Sequence, residues 1–236
     1  MTADTDTTDP APETGWRAQV RGQRTALSII GAIILLVVGF GAGVLLSPDE
    51  PDRTPPNSTD IGFAQDMSAH HAQAVEMSGI SLTGTTDPAV QRLAYDILTT
   101  QQSQIGRMQG WLQMWGAPAR GSAGYMAWMP ADEHSGHEGH GGHEHADSDR
   151  PMPGMATTAE IQQLRDAKGA AQDTLFLQLM LRHHEGGVPM LEYGAAHAAT
   201  TEIRVLAGQM LVAQQGEARL MTDMLTARGA EPLPMN

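Results

Sequence analysis

Polar and apolar positions divide the chain into one unbroken apolar run and a longer region with helical rhythm. The run is "ALSIIGAIILLVVGFGAGVLL", residues 26–46, and it holds no charge. From Asp60 onward, apolar residues recur every three or four positions, the spacing of a helix with one buried face. Asp87 followed by Pro88 supplies an N-cap and a first helical position. The stretch to Trp115 then carries Leu93, Ile97, Leu98, Ile105, Met108 and Leu112, and Gly116 with Pro118 ends it. Thr157 and Glu160 form a capping-box pattern for a short helix to Lys168, stopped by Gly169. A longer helix is predicted from Asp173 to about His184, with Pro189 kinking or ending it because proline lacks the backbone donor. Thr200 caps a last helix to Arg228, closed by Gly229.

The helices come in two copies. "FAQDMSAHHAQAVEM" (63–77) and "FLQLMLRHHEGGVPM" (176–190) keep Phe, Gln, Met, His-His, Val and Met in the same order, at the constant offset that separates Phe63 from Phe176. The same offset pairs Asp60 with Asp173, Leu98 with Leu211, Gln101 with Gln214, Met108 with Met221, Leu112 with Leu225 and Gly116 with Gly229. One unit is therefore a helix pair, at 60–116 and again at 173–229. A lone helix pair cannot bury its apolar face, whereas two pairs can. The expected fold is all-α: a four-helix bundle over 58–230 with an approximate internal two-fold axis, crossed by the connection 117–156.

The segment 1–57 reads differently. Residues 1–25 are an acidic, Thr-rich tail with the features of disorder, ending in Arg17, Arg21 and Arg24. The 26–46 run has about the length that a bilayer core of ~30 Å requires, and the arginines before it place that end in the cytoplasm. It is longer than the apolar region of a cleaved signal peptide, and no A-x-A site follows. The expectation is an uncleaved signal-anchor in the cell membrane, single-pass, with the bundle on the extracytoplasmic side. Residues 47–57 are a Pro-rich acidic linker.

Composition narrows the chemistry. With no cysteine, disulfides, zinc–thiolate sites and cysteine nucleophiles are all excluded. A net charge of −13 argues against nucleic acid as a partner. No serine motif, phosphate loop or nucleophile with paired carboxylates appears, so a binding protein is expected and not an enzyme. The 15 methionines against 3 phenylalanines prompt the question of how many are core filler.

At about 100° per residue, Met67, His70, His71 and Met77 fall in one arc of their helix, and Met180, His183, His184 and Met190 fall in the matching arc of the copy. Met108 and Met221 occupy equivalent positions on the partner helices. A stripe of thioethers and imidazoles without thiolate suits copper, because methionine favours Cu(I) and histidine accepts both oxidation states. Zinc rarely uses methionine. A di-iron bundle needs Glu-x-x-His, which this chain lacks. The rival reading makes the methionines core and the histidines satisfied interior residues. The connection adds His134, His137, His140, His143 and His145 in a Gly-rich tract, a weaker metal-binding composition open to copper, nickel or zinc. Met126 and Met129 before it, and Met152 and Met155 after it, stand beside Pro and Gly, as expected of exposed loop residues available to a soft metal.

These motifs resemble the domain-of-unknown-function 305 family over about Asp60 to Gly229. The carrying residues are "DIGFAQDMSAHHAQAVEM" and "DTLFLQLMLRHHEGGVPM", each followed by a Gln- and Met-bearing helix. The resemblance implies the ferritin-like bundle and extracytoplasmic copper binding of the family's CopM-like members. It implies copper ligation by Met67, His70, His71 and Met77, and by Met180, His183, His184 and Met190. The function expected is copper sequestration or transfer. The alternatives are a nickel or zinc buffer based on the His-rich tract, and a metal-free helical interaction module.

Overall fold

A computed structural model describes residues 28–40, 42, 54–130 and 152–236. The helices of its larger unit are α1 (Ser58–Gly84), α2 (Pro88–Met114), α3 (Thr158–Asp166), α4 (Ala170–His197) and α5 (Thr201–Thr226). No strand occurs among the described residues.

The chain separates into two units, Met1–Arg53 and Thr54–Asn236. In the first, residues 28–40 are helical, and Ile29, Ile33, Leu36 and Phe40 are all exposed. The expected span 26–46 is thus described only in part. Among the described residues, no helix is long and apolar enough to cross a membrane. The His-rich tract from His134 to His145 lies outside the described residues.

In the second unit the capping signals act as the sequence predicts. Asp87 Oδ1 accepts from Ala89 N at 2.8 Å with Pro88 in the first turn. The Thr157–Glu160 capping box opens α3, and Thr200 caps α5 through Ile203 N. The first helix starts at Ser58, because Asn57 and Asp60 close a capping box of their own. Gly116 and Gly229 leave α2 and α5 in the left-handed region, with φ of 64° and 63°.

The helices α1 and α4 are the central pair, and α2 and α5 pack on them as hairpin partners. Phe63 lies against Gly194 and His70 against His183 and Gly187, so α1 and α4 run antiparallel. Two apolar clusters result. One joins Ala74, Met77 and Ile80 of α1 to Ile97 of α2, Phe176 and Met180 of α4 and Met221 of α5. The other joins Phe63 and Met67 of α1 to Met108 of α2, Met190 of α4 and Met210 of α5. The histidine pairs sit between them, and the repeat exchanges the two ends.

Two expectations need correction. The α4 helix does not stop or end near His184; it continues through Pro189 to His197. An interior proline costs about 3 kcal/mol. Beyond it, Met190 and Leu191 are fully buried, each contributing about 1.5–3 kcal/mol, which offsets that cost. The loop methionines are also not exposed: Met126, Met129 and Met152 are buried core residues, and only Met155 is half-buried. The reason is anchoring by side chains distant in sequence. Asp66 Oδ2 accepts from Met126 N at 2.6 Å and from Trp128 Nε1 at 2.8 Å, which folds that segment onto α1. Gln73 holds Ala156 by both backbone groups, and Asn236 accepts from Gly154 N and donates to Met155 O. Their availability as open-loop thioethers therefore falls away.

Candidate metal site

The middle of α1 places His70 and His71 between the two apolar clusters, and α4 brings His183 and His184 to the same level. All four are at most 1% exposed. The rings of His70 and His183 meet at 3.8 Å between centroids, tilted by 34°, at the approximate two-fold. His71 turns outward to α2 and His184 to α5.

Each ring has an oxygen partner at Nε2. His71 reaches Gln104 Oε1 at 2.8 Å, His184 reaches Glu217 Oε2 at 2.6 Å, His183 reaches the His70 carbonyl at 3.0 Å and His70 reaches the Pro153 carbonyl at 3.4 Å. Carbonyl and carboxylate oxygens only accept, so Nε2 carries the hydrogen. At Nδ1 the lone pairs of His70, His71 and His184 are buried without a partner. Around them Gln101 and Gln214, 3% and 4% exposed, also hold unpartnered amide atoms. A buried polar atom left unpaired costs about 1–3 kcal/mol unless something bonds it. Three such nitrogens and two amides carry this cost, and the Gln214 amide lies with His70 against Gly187.

Burial sets the electrostatics. Loss of water pushes the pKa of His70 from 6.5 down to about 4, against the Pro153 carbonyl, which raises it. Burial likewise pushes His71 to about 3, with the His70 charge adding to the shift and Gln104 opposing it. His183 is driven well below its ordinary value by burial and then by His70. These imidazoles keep their lone pairs at neutral pH, the form that binds metals.

Backbone approaches one of the lone pairs closely. At Gly187 an added Cβ would lie 3.3 Å from His70 Cε1, 3.4 Å from Gln214 Oε1 and 3.8 Å from His70 Nδ1, so glycine lets α4 pack tightly on that edge of the imidazole, with the Gln214 amide beside it. The matching residue of the first copy is Ala74, also buried.

The sequence-predicted ligands separate by level. Met67, His70, His71, Met77, Met108, Met180, His183, His184, Met190 and Met221 are all buried. Met67, Met108 and Met190 belong to one cluster, while Met77, Met180 and Met221 belong to the other. Each end thus receives one of these thioethers from each of three helices, with the imidazoles between. Among the described residues, no three His, Cys, Asp or Glu side chains converge as an ion-holding group. A site here would need methionine sulfur beside imidazole nitrogen, a donor set that suits Cu(I).

Reading the repeat for identical residues overlooked Gln104 and Glu217. They are themselves repeat equivalents and lie three positions beyond Gln101 and Gln214, on the same helical face. Because they differ, a search for identity between the copies passes over them.

The family model described as "Domain of unknown function (DUF305)" matches residues 60–225. A DUF305 protein from Streptomyces coelicolor, described as secreted, has 41% identity over 75% of this chain and 97% of its own, with a TM-score of 0.65. A DUF305 fragment from Deinococcus radiodurans has 31% identity over 73% and 99%, with a TM-score of 0.58. CopM in its Cu(II)-bound form has 24% identity over 71% and 96%, with a TM-score of 0.53, and shares the fold. No curated protein matches the chain.

Proposed function

The chain belongs to the DUF305 family, and on that premise we propose that it is a copper-binding protein, not an enzyme, which holds or hands over copper outside the cytoplasm. The observation that carries the proposal is the set of unpartnered Nδ1 atoms on His70, His71 and His184. Each of these rings is oriented through Nε2 by an oxygen acceptor, the arrangement by which metal-binding histidines are normally held. The residues that would hold copper are His70, His71, His183 and His184, with Met67, Met108 and Met190 at one end and Met77, Met180 and Met221 at the other. Support from relatives is consistent with this: CopM has been solved with Cu(I), Cu(II) and silver. Silver is a soft monovalent ion, as Cu(I) is.

The location rests on the uncharged run 26–46 behind Arg17, Arg21 and Arg24, and the Streptomyces coelicolor relative is described as secreted. In the proposed topology the run anchors the bundle to the outer side of the cell membrane. Protease added to cells stripped of their outer layers then digests the bundle; full protection contradicts the orientation.

One observation favours the metal-free reading, namely that no three His, Cys, Asp or Glu side chains converge among the described residues. Metal content of the isolated protein, followed by competition among copper, nickel and zinc under reducing and oxidising conditions, separates the readings. The proposal predicts copper in the isolated protein and Cu(I) outcompeting nickel and zinc. Protein isolated without metal, and unable to take up copper, leaves the interaction module. Preference for nickel or zinc leaves the buffer.

A further inference from the structure

The two copies of the histidine layer differ in their polar contacts: the equivalent rings of His70 and His183 bond different carbonyls, and the outer rings of His71 and His184 differ in the charge of their partner. In the first, His71 Nε2 donates to Gln104 Oε1, a neutral amide, at 2.8 Å. In the second, His184 Nε2 donates to Glu217 Oε2, a carboxylate, at 2.6 Å. The two partners stand at the same place in the repeat. Both rings leave Nδ1 unpartnered and buried. For the His71 and His184 rings the unpartnered atom is therefore the same, and the group behind the ring changes from neutral to charged.

A carboxylate behind an imidazole raises its basicity as a ligand. It also places a negative charge one ring away from the bound ion, in an interior where charge is weakly screened. Both effects grow with the charge of the ion. The side chain of Glu217 is 25% exposed and that of His184 is 1% exposed, so the carboxylate keeps contact with water while the ring does not. The amide of Gln104 offers orientation without charge.

Resting on the copper reading above, we propose that Glu217 makes the halves unlike: the His184 half prefers divalent copper and the His71 half prefers the monovalent ion. Glu217 is then a positioning residue and Gln104 its neutral counterpart. One molecule would accept copper in either oxidation state without rearranging its helices.

The test uses the full chain, titrated separately with Cu(II) and with Ag(I) as an air-stable monovalent probe, with a thermal melt and a Cu(II) electron paramagnetic resonance spectrum for each variant. Glu217→Gln is expected to weaken the tightest Cu(II) step by about 10–100-fold, with far less effect on Ag(I), so that the preference between the ions shifts. Gln104→Glu is expected to create a second tight Cu(II) step whose spectrum resembles the first. That gain is one a merely structural role would not produce, and it survives as a test if Glu217→Gln folds poorly. Equal weakening of both ions by Glu217→Gln, or no second Cu(II) step in Gln104→Glu, overturns the proposal. Wild type that binds both ions while the variants show none of these shifts overturns this proposal and leaves the copper reading intact; wild type that binds neither ion overturns both.

Discussion

His70 meets the tilted ring of His183 inside the bundle, and its Nδ1 has no hydrogen-bond partner. A charge there would lack both water and a counter-ion, which is why burial lowers His70 to about 4 and His71 to about 3 from an unfolded value of 6.5. Above pH 6.5 neither state takes a proton at these rings, and their contribution to stability is fully present. Below it the unfolded chain binds protons that the folded one does not, so stability falls as pH drops toward 4. The loss is at most about 1.4 kcal/mol per pH unit for each such histidine. Urea midpoints from pH 8 to 4 should be level above about 7 and then decline; a level profile throughout contradicts burial of uncharged rings. The same shifts let metal binding by the folded protein persist well below pH 6.5, where proton competition at an exposed histidine begins. At this scale the ligand candidates were legible, because the repeat preserved them on one helical arc. Their orienting partners were not, because Gln104 and Glu217 differ in identity and only the fold brings them to the rings.

On the scale of the helix, α4 shows how tertiary contact overrides local signals. Gly186, Gly187 and Pro189 read as a break, yet the helix continues to His197. Gly186 has a packing role: an added Cβ would overlap the Pro153 carbonyl and lie 2.6 Å from Gly154 Cα. Gly154 itself has φ of 78° and approaches the Arg182 carbonyl. In an isolated helix, Gly→Ala gains about 1 kcal/mol. Here the overlap is with backbone, which cannot swing aside, and overpacking costs about 1–3 kcal/mol. Gly186→Ala should therefore lower the melting temperature, and a rise would contradict the close approach. The Pro153 carbonyl is also the His70 partner, so the variant disturbs the site as well. The caps, the helix order and the duplicated pair could be read from local chemistry. The burial of Met126, Met129 and Met152 could not, since it depends on Asp66, Gln73 and Asn236, remote in sequence.

Across the whole bundle, two methionine-bearing apolar clusters accompany four buried histidines and two buried glutamines. The two-fold repeat made this symmetry visible in the sequence, whereas the division of the methionines between the two ends required the antiparallel packing of α1 on α4. The anchor and the His-rich tract are expectations of composition, and they fall partly or wholly outside the described residues. A layer this poor in partners is costly as mere packing, and it becomes favourable if an ion bonds the free nitrogens. That balance is the physical basis of the copper proposal. Calorimetric titration of wild type and the His70→Ala/His71→Ala variant with Cu(I), beside thermal melts of both, tests it most directly. The variant is expected to stay helical and to lose tight copper binding at the first repeat. Unchanged copper affinity in a destabilised variant would contradict it.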